Sequence, residues 1–79
     1  MQLGTRWTVG DEPPESLPDA VLRAIERVEA ELEADGVDAV GWRWTLTWLE
    51  RRPVVELDDG TRVVTHADGE ATIVPPSED

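Results

Sequence analysis

The residues best equipped for chemistry stand together near the end of the chain, in the stretch THADGE: Thr65, His66, Asp68 and Glu70. His66 is the sole histidine and cysteine is absent, so nucleophilic catalysis would require a hydroxyl activated by this one imidazole. Thr65 adjoins His66, but successive side chains of an extended chain point to opposite faces, which separates that hydroxyl from the base. His66, Asp68 and Glu70 alternate as weak cation ligands would, yet a dedicated metal site needs more ligands in fixed geometry. The segment ELDDGT, residues 56–61, lacks the Asp-x-Asp-x-Asp-Gly spacing and the later Glu of a calcium loop. No glycine-rich turn stands between a strand and a helix, so a phosphate or dinucleotide loop is not expected. The chain reads as non-enzymatic, with no catalytic residue, no metal site and no cofactor. Cation or small-ligand contact near His66 is the weakest of the functional alternatives.

The elements that must position these residues follow from hydrophobic periodicity. Leu3, Thr5, Trp7 and Val9 alternate with Gly4, Arg6 and Thr8, which predicts a strand over about 3–9. GDEPPES then breaks it, because paired prolines remove ladder donors. Leu17, Val21, Ile25, Val28 and Leu32 recur at spacings of four and three, predicting one amphipathic helix over 17–35. Ser16 is expected to cap its start with Asp19 in the first turn, and Gly36 to end it in the left-handed conformation. From Val40 the period changes to two, so a strand over 40–49 carries Trp42, Trp44, Leu46 and Trp48 on one face. Further strands are expected over 53–57, 61–66 and 70–74. Asp58-Asp59-Gly60 and Ala67-Asp68-Gly69 suit three-residue hairpin loops, which set Leu57 opposite Thr61 and His66 opposite Glu70. If ERRP is a four-residue loop, Leu49 faces Val54 and Trp48 faces Val55.

All these registers send the apolar residues to a single side. The expected fold is therefore a small α+β domain, β-α-β-β-β-β, with one helix packed on one face of a twisted, mainly antiparallel sheet and the first strand at an edge. It occupies residues 1–74, followed by a disordered acidic tail over 75–79. The predicted core is Trp42, Trp44, Trp48 and Leu46 from the sheet, with Val21, Ile25, Val28 and Leu32 from the helix.

Composition decides between partners. Asp plus Glu number 18 against 7 basic residues, all of them Arg, for a net charge of −11. Nucleic-acid binding by phosphate neutralisation needs a clustered basic face, so that class is disfavoured. No apolar run approaches the length of a membrane span, so no membrane partner is expected and a cytoplasmic location is the default. Function is then expected on the outer face of the sheet, at Arg43, Thr45, Thr47, Leu49, Val54, Arg62, Val64 and His66. This face would dock a protein partner or pair with a second copy as a homo-oligomer. The alternative is an acidic decoy that occupies a basic, nucleic-acid-binding protein through Glu26, Glu29 and Glu33. ERRPVVELDDGTRVVTHADGEATIV, residues 50–74, following the helix, resembles the helix-plus-hairpins pattern of PepSY-type domains. That resemblance implies an inhibitory or regulatory module. The tyrosines those domains place in their strands are missing here, and no functional residue carries over.

Overall fold

A computed structural model describes residues 5–76. One helix lies between the first and second strands of a five-stranded, wholly antiparallel sheet in the order β1-β2-β3-β4-β5. The elements are β1 (Thr5–Thr8), α1 (Asp19–Ala34), β2 (Arg43–Leu49), β3 (Arg52–Leu57), β4 (Arg62–Thr65) and β5 (Ala71–Val74). The α+β fold expected from periodicity is the one observed, with β1 at the edge beside β2. Leu3, Gly4 and residues 77–79 of the expected strand and tail lie outside the described residues. Pro75 and Pro76 are described, and Pro76 packs beside Gly60.

The start of the helix differs from expectation for a local reason. Ser16 does not cap α1. The cap position is Pro18, whose carbonyl accepts from the amides of Val21 and Leu22, both at 3.0 Å, and no side chain caps the helix. Pro18 has extended ψ (154°) and stands just before the first helical residue, Asp19, so the first turn forms two residues later than a Ser16 cap would place it. The C-terminus behaves as expected: Gly36 takes φ 72°, and the Val37 amide returns to the Leu32 carbonyl at 2.9 Å.

Both Asp-Gly hairpins have the predicted register. The Leu57 amide donates to the Thr61 carbonyl and the His66 amide to the Glu70 carbonyl, each at 2.8 Å. Asp59 and Asp68 brace these turns by accepting from the amides of Thr61 and Glu70, at 2.8 and 3.0 Å. The β2–β3 hairpin corrects the sequence reading. Leu49 pairs with Arg52, and Trp48 with Pro53, leaving a two-residue loop of Glu50 and Arg51 at φ 53° and 69°. Positive φ at both loop positions matches a tight turn to the twist of the strands. The slide amounts to two residues, so every side chain keeps its face.

The core lies between α1 and the inner face of the sheet. Trp44, Val55, Val63 and Val21 are fully enclosed, and Leu57, Ile25, Leu46, Leu17, Val28, Ala24 and Trp7 complete the buried cluster. Trp7 lies opposite Trp44 in the register and stacks on it, with ring centroids 6.5 Å apart. The two indoles differ at nitrogen. Trp44 Nε1 donates to the Glu29 carboxylate at 2.9 Å, whereas the buried Trp7 Nε1 has no partner. Of the predicted core, Trp42 and Leu32 are half-buried and pack against this cluster. Trp48 is a correction: it points to the helix side but is 38% exposed. Helix α1 packs on β4 and β5, so its footprint does not reach the β2–β3 turn where Trp48 sits. Val40 is a second correction, being 88% exposed in a turn before β2.

Candidate functional site

The chemistry-bearing residues of THADGE do not converge. His66 faces outward, where its Nε2 meets Thr72 Oγ1 rather than Glu70. The Thr65 hydroxyl points to the other side of the sheet and donates to the buried Pro53 carbonyl at 3.1 Å. Asp68 is occupied by the turn it braces. Among the described residues no group of three or more His, Asp or Glu side chains is placed to share a metal ion.

The outer face of the sheet does assemble the residues expected there. Arg43, Thr45, Thr47 and Leu49 project from β2, Val54 from β3, and Arg62 and Val64 from β4, with His66 just beyond it. The strand register sorts them into rungs. Thr47 lies opposite Val54, Val54 opposite Val64, and Val64 opposite Thr72. The next rung runs Arg6, Thr45, Glu56, Arg62 and Val74. Val54, Val64 and Val74 are only half-buried, and among the described residues no element lies over them. Leu49, at the corner of this face, is 62% exposed.

Two members of this face escape a sequence reading of the expected residues. Arg6 joins it because β1 pairs with β2 and puts Arg6 opposite Thr45; its alternation with Trp7 is the signal. Arg52 joins it because the tight Glu50-Arg51 turn moves it from the expected loop into β3. Four of the seven arginines, Arg6, Arg43, Arg52 and Arg62, therefore share one face with the acids Glu56, Asp58 and Glu70, and Asp58 accepts from the Arg43 amide across the ladder at 3.0 Å. Glu56 and Arg62 are directly opposite across the ladder. The ion pair found among the described residues lies elsewhere, between Arg27 and Glu31 of α1 at 3.5 Å.

The opposite layer is acidic. Glu26, Glu31 and Glu33 are exposed on α1 and Asp11, Glu12 and Glu15 precede it. Glu29 stands apart from them, because its carboxylate is half-buried and accepts from Trp44 Nε1 and, at 3.4 Å, from the Gly10 amide. It ties the helix to β2 and to the loop after β1, which is structural work for one of the three carboxylates in the decoy reading.

No helix is long and apolar enough to cross a membrane among the described residues. Comparison with protein-family models, with curated proteins and with solved structures finds no match to this chain.

Proposed function

We propose that this chain is a small non-enzymatic interaction domain that docks an acidic protein partner on the outer face of its sheet. The observation that supports this reading is the sorting of charge in a protein of net charge −11. Four of its seven arginines lie around the valines Val54 and Val64 with only three carboxylates, Glu56, Asp58 and Glu70, among them, while α1 and the loop before it carry a large excess of acids over Arg23 and Arg27. An apolar centre with a polar rim is the common anatomy of a docking patch, and this face, with its arginines outnumbering its carboxylates, is the part of an acidic body that least repels an acidic partner. Binding is expected to weaken with added salt.

A second reading, sheet-to-sheet pairing of two copies, draws on one further observation. A two-fold axis parallel to the strands between β3 and β4 lays Val54 of one copy on the partner's Val64 and Glu56 on the partner's Arg62, following the register within each sheet.

Photo-crosslinking separates these readings. Val64→p-benzoylphenylalanine and Arg27→p-benzoylphenylalanine are compared in the native cell. Docking predicts capture of an acidic protein from position 64 and not from position 27, lost when Arg43→Glu and Arg62→Glu are added. Crosslinks between two copies from position 64 favour the second reading. Capture from position 27 alone, or capture of a basic protein, contradicts both and supports the acidic decoy.

A further inference from the structure

Among the described residues, no element covers the edge of the sheet along β5, between Glu70 and Pro75. Edge strands expose unpaired amides and carbonyls, and proteins commonly protect them with charge, proline or a bulge. Ala71–Val74 contains none of these within the strand, whereas β1 at the other edge carries the exposed Arg6.

The hydrogen-bond phase of the ladder identifies the free groups. The His66 amide bonds the Glu70 carbonyl, and Thr72 and Val74 follow at the same phase opposite Val64 and Arg62. In an antiparallel pair this phase alternates, so the backbone groups of Ala71 and Ile73 turn away from β4 to the open edge. The side chains of these two residues point to the helix side, where they line an open groove of about 480 Å³. Its floor is completed by Ala20 and Ala24 of α1, and its rim by Arg23, Arg27 and Glu31.

We propose that two copies of this chain join antiparallel along β5, with Ala71 of one opposite the partner's Ile73, to form a continuous ten-stranded sheet. The pairing is self-complementary. Ala71 and Ile73 each exchange both backbone bonds, and the bulky side chain of one copy sits beside the small one of the other over the groove floor. Antiparallel copies also bring the arginine-bearing half of one α1 beside the half of the other that carries Glu31. The two-fold axis stands perpendicular to the sheet, so both outer faces lie on the same side. One assembly would then present two docking faces to a partner, which raises avidity without any new contact. This inference adds to the docking reading but does not depend on it. Because each copy carries a charge of −11, association should strengthen as salt screens the repulsion.

The test combines amide hydrogen exchange with sedimentation at micromolar and millimolar concentration in high salt. The expected result is a dimer at millimolar concentration, with the amides of Ala71 and Ile73 protected there and free to exchange at micromolar concentration. Ala71→Pro removes an edge-facing donor while sparing the bonds to β4, and should be monomeric at both concentrations. Val64→Glu alters the outer face and should still dimerise. A monomer at millimolar concentration, free exchange of Ala71 and Ile73 in a dimer, or a folded Ala71→Pro variant that still dimerises would each overturn the proposal. If Ala71→Pro does not fold, exchange in the unaltered protein decides.

Discussion

The two faces of the sheet are made from the same strands, yet they have opposite physical characters. Within β4, Val63 is fully enclosed beneath the helix, while its neighbour Val64 is half-buried with no layer above it among the described residues. Within β2, Trp44 and Leu46 belong to the core, while Thr45 and Thr47 lie with the arginines. Strand alternation allows one segment to serve folding on one side and recognition on the other.

Substitutions should divide along this line. Trp44→Ala removes the largest fully buried side chain and should cost about 3–5 kcal/mol, read by chemical denaturation. For a chain of this length that is a large share of the whole stability, roughly 4–12 kcal/mol.

The stacked indoles sharpen the comparison within the core. Glu29→Ala leaves the Trp44 N–H without its acceptor and should cost about 1–3 kcal/mol. Trp7→Phe loses ring volume but also removes a buried, unpartnered donor, so the two effects oppose each other and the net change should stay within about 1 kcal/mol. Equal losses in these two variants would mean that the Glu29 bond contributes little.

The β2–β3 turn offers a smaller change of opposite sign. Arg51 sits at φ 69°, where glycine is unstrained, so Arg51→Gly should stabilise by up to about 1 kcal/mol. Trp48→Ala, at the exposed corner beside that turn, should cost less than Trp44→Ala, about 1–3 kcal/mol, because Trp48 keeps 38% of its surface in water. The same variant should remove the most readily acrylamide-quenched part of the tryptophan emission, since Trp44 is sealed and Trp7 nearly so.

These residues also show where sequence reading succeeds and where it stops. The alternation of Trp42, Trp44, Leu46 and Trp48 determines a side of the sheet, and the structure places Trp44, Leu46 and Trp48 on it. Alternation carries no information about how far the helix extends over that side, which is why Trp48 was expected in the core and lies 38% exposed. The Asp-Gly turns were legible because aspartate and glycine announce their backbone geometry. Glu50-Arg51 was not, because nothing in those side chains announces positive φ. That turn in turn hid Arg52 from the outer face. The Glu29 bond to Trp44 depends on the rotation of α1 over the sheet, which a stripe of apolar residues specifies only to within a turn.

The central claim is that one face of the sheet holds the fold while the other is free to bind, and the neighbouring valines of β4 test it most directly. Thermal unfolding of Val63→Glu and Val64→Glu should be compared under identical conditions. Val63→Glu buries an unpaired charge and should lose more than about 4 kcal/mol, leaving little or no cooperative transition. Val64→Glu should unfold cooperatively within about 4–8 °C of the unaltered protein, the shift expected for about 1 kcal/mol. Comparable collapse of both variants would contradict the claim, because it would show that the outer face is also part of what holds the domain together.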